Sequence, residues 1–404
     1  MTRTRGSPGY EEYDEYGQYE QYDEYDEYGQ YDEYDEYDEY GQTRPSAGMR
    51  KEELMGLGKD LRPLDRKAYE AVMEHWDSLA KPIDALGQYE KTIARIGGIL
   101  RKKDFDLEKK ALMVFLSDNG IVEEGVSQSP VDVTRKVALS MASGRGCVSL
   151  MAKRAGVDVT YVDVGMKGGP VPGVEDRKVR EGTRDFLFEN AMTEEEALSA
   201  AGVGYEEACR LIQNGNSLIL LGEMGVGNTT TSTATGCALL GNDPAECVGR
   251  GSGMPDEMLE HKCSVIRQAL EVRQYDAADP LSVLCAFGGF DIAAMVGAIL
   301  ACARNHVPAV MDGLITLSSL LVAERLFPGI KDACICSHVP REPMGRMIME
   351  ELGLEAPVDA SLALGEGSGA VLLAAQLDVC MALYRGGNSF GGIGMQAYRR
   401  FIIN

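Results

Sequence analysis

The residues best suited to chemistry lie in the stretch SLILLGEMGVGNTTTSTATGCALL, positions 217–240. Its apolar run Leu218 to Leu221 has the length and bulk of a buried strand. A turn with Gly222, Gly225 and Gly227 follows, and Asn228 and Thr229 lead into a small-residue helix. Strand, glycine turn and helix N-terminus together make an anion cradle. The glycines let the backbone approach an oxyanion, and free N–H groups and hydroxyls point at it. This is not a Walker loop, because no Gly-Lys-Ser/Thr follows. Nor is it the dinucleotide fingerprint, because Thr230 stands where the third glycine belongs. Spacing alone does not separate a phosphate cradle from a tight turn with no ligand. The second candidate is Glu366, in Leu364-Gly365-Glu366-Gly367-Ser368-Gly369. A carboxylate between glycines is open to a substrate, and burial beneath one would raise its pKa toward a general base's range. The same residue also fits a flexible surface turn. Glu223 lies inside the glycine turn, as a second functional carboxylate or as a partner of the helix dipole. Lys262 and Arg250 are either phosphate counter-charges or solvated surface residues. None of the four histidines pairs at metal-ligand spacing, and no GxSxG elbow is present.

The elements that must position these groups read as an alternation of strands and helices. Ala111–Leu116 is a buried strand ending at Ser117-Asp118-Asn119-Gly120, and a long loop runs on to Pro130. Val133 to Ala155 reads as one helix, Val157 to Val164 as a strand, and Thr193 as the N-cap of an acidic-ended helix. Pro308–Met311 and Ala333–Cys336 are further strands, and a long small-residue helix follows Gly369. This pattern predicts a parallel sheet with right-handed crossovers. Asp118, Asp163, Glu223, Asp312 and Ser337 all fall just after strands, at the edge where open α/β sheets bind ligands. Ahead of the first strand, 64–80 and 86–100 read as helices.

The chain has 404 residues and a formal charge of −23, unevenly spread. Residues 1–42 hold 15 acidic residues and two arginines, a net −13, which leaves −10 for the rest. A mildly acidic body disfavours nucleic-acid binding. Tyrosine recurs every third position from Tyr10 to Tyr40 among Asp, Glu, Gly and Gln, so 1–47 reads as a disordered tail and linker. The ten cysteines include no CxxC pair and read as reduced core residues. The apolar run 283–303 contains Asp291 and reads as a buried helix with its lead-in, not a membrane span. No signal peptide is apparent, and the reading is cytoplasmic.

Taken in order, several motifs resemble those of the nicotinate-nucleotide–dimethylbenzimidazole phosphoribosyltransferase family. Lys81-Pro82 with Leu86-Gly87 and Glu90 is similar to its KP…LG..E segment. Asp118-Asn119-Gly120 with Glu124-Gly125-Val126 resembles its DHG…EGV loop, and Val162-Asp163-Val164-Gly165 its VDVG strand end. Gly222 to Thr230 resembles GEMGIGNTT, the most specific of the set. Val248-Gly249-Arg250-Gly251, Gly288-Gly289-Phe290, Asp312-Gly313 and Leu364 to Ala370 match further family segments. The resemblance covers roughly 60–385.

The resemblance implies a Rossmann-like parallel-sheet domain (about 106–375) and a smaller helical domain from both chain ends (about 60–105 plus the last helix), within a body spanning 48–404. It implies a homodimer acting on small molecules, with no metal and no cofactor. The implied reaction moves the 5-phosphoribosyl group of nicotinate mononucleotide to a lower-ligand base in cobalamin assembly. Glu366 would be the general base, with Glu223 near the ribose or leaving group. Gly225, Val226, Gly227, Asn228, Thr229 and Lys262 would hold the phosphate. Ser127, Ser129 and Asp118 would line the base pocket. The chain departs from the family pattern at Asn119 (usually His), Ser129-Pro130-Val131 (often Tyr-Pro-Gln), Met344-Gly345 (usually Gly-His) and Ala85 (usually Ser). These departures are expected on the acceptor side and bear on which base is used. The alternative is a catalytically silent nucleotide-binding paralogue or a subunit of a heteromeric transferase.

Overall fold

The computed structural model describes residues 48–251 and 253–400; the expected tail at 1–47 lies outside them. Six parallel strands form one sheet: β1 Lys110–Ser117, β2 Asp158–Gly165, β3 Glu175–Asp176, β4 Leu218–Met224, β5 Ala309–Met311 and β6 Cys334–Cys336. Their order is β3-β2-β1-β4-β5-β6, so the chain reverses direction of growth between β1 and β4. Phe115 of β1 pairs with Val162 on one side and Glu223 on the other. That register brings the carboxyl ends of β1, β2 and β4 to one edge.

Side chains alternate across a strand, so each strand feeds two cores. Met113, Phe115, Ile219 and Leu221 face one layer, built mainly from helices Glu194–Gln213, Phe290–Arg304 and Leu314–Leu326. Leu112, Val114, Leu116, Leu218 and Leu220 face the other. There the helices Arg66–Ser78 and Gln88–Leu100 meet Ser368–Gly386 from the far end of the chain. Trp76 packs edge-on against Tyr384 with ring centroids 4.9 Å apart. The segments after and before these helices also pair, through Ala80 N–H to Asn388 O (2.8 Å) and Phe390 N–H to Ser78 O (3.2 Å). Cys334 and Cys336 share one core while Ile335 enters the other, as the alternation requires.

The Thr193 cap is realised as a capping box with Glu196. One expectation changes. The stretch 133–155 is two helices, Asp132–Ala142 and Cys147–Ala155, because Gly144 takes a left-handed φ of 73° between them. The run 283–303 is a buried helix, Phe290–Arg304, and its lead-in is itself helical over Pro280–Phe287 before the Gly288-Gly289 turn. Among the described residues, one helix, Ser368–Gly386, is long and apolar enough to cross a membrane. It buries Ala370, Leu373, Ala374 and Leu377 in the core beside the sheet.

Candidate active site

β4 continues past its apolar stretch to Met224, so Glu223 lies at the strand's carboxyl end, not within the turn. The turn is Gly225–Gly227. Gly227, at φ 90°, releases the chain into the helix Asn228–Leu240, a conformation that a side chain would strain. The peptide of Val226 is clamped on both sides. Its N–H donates to Thr134 Oγ1 (3.1 Å), and its C=O accepts from Asn119 Nδ2 (3.1 Å). Val226 therefore has no N–H to offer an anion. The Asn228 N–H is also taken, by Gly225 O at 3.2 Å. Among the described residues the N–H groups of Gly225, Gly227 and Thr229 have no protein acceptor, and these three form the backbone part of the cradle.

Lys262 comes from the helix Asp256–Val272 and is fully buried. Its Nζ donates to Thr229 Oγ1 at 2.9 Å. It stands behind Thr229 and does not itself line the cavity. Burial pulls its pKa down to about 8, against the opposing pull of Glu342. Arg250 is turned away to pair with Asp256 on the exposed surface.

Glu366 is almost fully buried and has φ 63°, between Gly365 at 81° and Gly367 at 85°. Three consecutive left-handed residues turn its carboxylate into the cavity while its backbone lies against β4. A Cβ on Gly222 would come within 2.5 Å of the Glu366 carbonyl oxygen, which is why that strand position has no side chain. Glu366 Oε2 accepts from Val148 N–H at 3.1 Å. Burial raises the Glu366 pKa and this hydrogen bond offsets part of the rise.

Two further buried carboxyls adjoin Glu223. Asp312, after β5, accepts from Gly367, Gly369 and Ala370 N–H at 3.2, 2.7 and 3.2 Å, and so anchors the start of the helix that carries Glu366. Burial nevertheless pushes its pKa up to about 7. Asp291, at the start of Phe290–Arg304, is pushed by burial up to about 6. Burial, with these neighbouring acids, raises Glu223 to about 8, so near neutral pH it carries a proton. The Asn228 side-chain amide donates to Glu223 Oε2.

A cavity of about 230 Å³ opens over this edge. Its wall brings together Glu223, Gly225, Val226, Gly227, Asn228, Thr229, Ser127, Ser129 and Glu366. Asp118 is not on it. That residue points beneath the turn, where Oδ2 accepts from Lys167 N–H at 2.7 Å and the Thr134 hydroxyl lies beside it. The departures from the family pattern do not gather at the acceptor side as expected. Asn119 supports the glycine turn, Met344 fills the space beside Gly236, and Ala85 is absent from the cavity wall. Of those positions, only Ser129 borders the cavity. Sequence reasoning did not single out Arg341 or assign His338 to the site, yet both line the cavity. His338 follows the strand end, where polar residues already collect. Burial depresses its pKa to about 4, so it is neutral, with Nδ1 2.9 Å from Ser337 Oγ. Arg341 lies in an irregular run with no sequence signal.

A parallel sheet whose carboxyl edge holds a glycine turn, a helix N-terminus and a buried carboxylate is the architecture of an α/β phosphoribosyl-transfer enzyme. Residues 61–393 match a family described as Phosphoribosyltransferase. The chain is 36% identical over 342 residues to the nicotinate-nucleotide–dimethylbenzimidazole phosphoribosyltransferase of Acetivibrio thermocellus, covering 84% of this chain and 97% of that one. It is 35% identical to the Clostridium acetobutylicum enzyme of that name, covering 85% and 98%. Among solved structures, CobT from Thermus thermophilus superposes with a TM-score of 0.77 at 36% identity, covering 82% of this chain and 99% of that one. The chain belongs to the nicotinate-nucleotide–dimethylbenzimidazole phosphoribosyltransferase family.

Proposed function

We propose that the chain transfers the 5-phosphoribosyl group of nicotinate mononucleotide to a lower-ligand base such as 5,6-dimethylbenzimidazole. The products are nicotinate and α-ribazole 5′-phosphate, a step in assembling the nucleotide loop of cobalamin. The observation that carries this reading is the single cavity with the glycine turn on one part of its wall and the buried Glu366 carboxylate on another. The donor phosphate is held by the free N–H groups of Gly225, Gly227 and Thr229 and by the Thr229 hydroxyl, with the Lys262 charge behind it. The bond between the anomeric carbon and the pyridinium nitrogen breaks. Its electron pair stays with nicotinate, whose ring becomes neutral, so no acid is needed at the leaving group. The unprotonated nitrogen of the base attacks from the opposite face, and the configuration inverts from β to α. The other ring nitrogen gives up its proton to Glu366, whose raised pKa suits a general base. Glu223, protonated near neutrality, is fitted to donate a hydrogen bond to the ribose or the leaving nicotinate. Ser127 and Ser129 border the base. The working form in this reading is a cytoplasmic homodimer, and a single-protomer mass by light scattering would refute the dimer.

The test is to incubate purified protein with nicotinate mononucleotide and a panel of dimethylbenzimidazole, benzimidazole, adenine and phenol, with products read by mass. An α-ribotide of any base supports the transferase and ranks the acceptors. Tight donor binding with no product from any base refutes it.

A further inference from the structure

Four carboxyl residues line the cavity: Glu223, Asp312, Glu342 and Glu366. Among the described residues, Arg341 is the only lysine or arginine on the same wall. Its Nη2 donates to the carbonyl of Gly251 at 2.9 Å. The N–H of Gly251 donates in turn to Glu342 Oε1 at 3.1 Å, so the 341–342 pair grips this one residue from both sides. Gly251 borders the cradle, since a Cβ there would lie 3.6 Å from Thr229 Oγ1, the hydroxyl that Lys262 holds. The Arg341 guanidinium therefore hangs one residue away from the phosphate turn. Nε and Nη1 have no protein acceptor among the described residues. Arg341 is exposed and Lys262 fully buried, so the two charges approach the cradle from solvent and from the interior.

A phosphate monoester carries close to two negative charges near neutral pH. The interior cation reaches the site only through the Thr229 hydroxyl, which leaves that charge incompletely matched. A guanidinium fork is suited to the remaining oxygens. We propose that Arg341 is a second cationic contact to the donor's 5′-phosphate, closing on it from the solvent side with the arms not held by Gly251. This rests on the phosphoribosyltransferase reading. It assigns Arg341 to the phosphate and not to the carboxylate that distinguishes nicotinate from nicotinamide donors.

The experiment measures binding by calorimetry, without any acceptor base, for the wild type, Arg341→Gln and Arg341→Lys. The ligands are nicotinate mononucleotide, nicotinamide mononucleotide and inorganic phosphate. With Arg341→Gln, both nucleotides are expected to weaken together by about tenfold, the lower end for a charged contact that is partly solvated. Inorganic phosphate weakens in step, the salt dependence of binding becomes shallower, and Arg341→Lys recovers part of the loss. A loss confined to the nicotinate nucleotide would assign Arg341 to the carboxylate and overturn the proposal. Unchanged binding, or a loss with unchanged salt dependence, would reduce Arg341 to a clamp on Gly251 and overturn it equally. The base-panel assay separates this result from the parent reading: wild-type protein that binds donor but transfers to no base sinks the transferase assignment and leaves the binding result to stand or fall alone.

Discussion

Replacing Lys262 with methionine is expected to stabilise the ligand-free protein while weakening its hold on the donor. The lysine is fully buried, and burial lowers its pKa from the ordinary 10.5 to about 8. The sign follows from proton uptake. Below pH 8 the lysine is charged in both folded and unfolded chains, and the folded state bears the cost of burying that charge. Between pH 8 and 10.5 the unfolded chain binds more protons, so wild-type stability rises with pH across that window. A shift of this size corresponds to about 3 kcal/mol at pH 7. Methionine leaves Thr229 Oγ1 without its donor, which costs about 1 kcal/mol. The net gain is about 2 kcal/mol, or roughly 3 °C in Tm for a body of this size. The assay is chemical and thermal denaturation of both proteins in phosphate-free buffer at pH 7 and 9.5. The charge-burial cost should fall to about 1 kcal/mol at pH 9.5, so the advantage of Lys262→Met should largely vanish there. Adding nicotinate mononucleotide at pH 7 should reverse the order, because only the wild type supplies the ammonium behind the phosphate. A variant less stable than wild type at pH 7 without ligand, or a gap that does not respond to pH, would refute the reasoning.

Other outcomes follow from the same geometry. Glu366→Gln should lower kcat by about 10²–10⁴ while donor affinity is kept, and a wild-type rate would remove Glu366 from the base role. Because burial raises the Glu366 pKa, wild-type activity should fall as pH drops through that raised value, and this acid limb should disappear from whatever activity the variant retains. Thr134→Val leaves the Val226 N–H buried without an acceptor; denaturation should show a loss of about 1–3 kcal/mol, and kinetics a higher donor KM. Gly222→Ala places a methyl within 2.5 Å of the Glu366 carbonyl; kcat should fall at least ~10-fold from overpacking, and full activity in a folded variant would show that the close approach is dispensable.

Five of the six strands were legible because each is an apolar run closed by a polar residue, and that edge rule also pointed to Asp312 and Glu223; β3, Glu175–Asp176, has no apolar residue and gave no such signal. The glycine turn was legible as a cradle, but the availability of its N–H groups was not. Val226 is taken by Thr134, some 90 residues away in sequence, a pairing that no local pattern encodes. Burial was equally hidden. Lys262 on a polar, amphipathic helix reads as solvated, yet the packing of that helix against Asn228–Leu240 encloses it. The resemblance put Asp118 in the base pocket, but its carboxylate turns under the sheet edge to Lys167 N–H. The helix expected across 133–155 is interrupted at Gly144, where a left-handed residue ends its first part.

The pairing of the two chain ends governs when this protein can come into being. Trp76 and Ile93 are enclosed by residues of the helix Ser368–Gly386, Tyr384 among them, and the backbone at 78–80 is closed by 388–390. During synthesis the first helices emerge some 300 residues before their partners. Contacts of such sequence separation are slow to form and leave apolar surface open meanwhile. Glu366 arrives with the same late helix, and its helix start is held by Asp312, made earlier. A chain released from the ribosome before that helix would expose the Trp76 face to chaperones and proteases. It would also lack Glu366 and the N–H groups that satisfy Asp312, so an unfinished copy has no complete site.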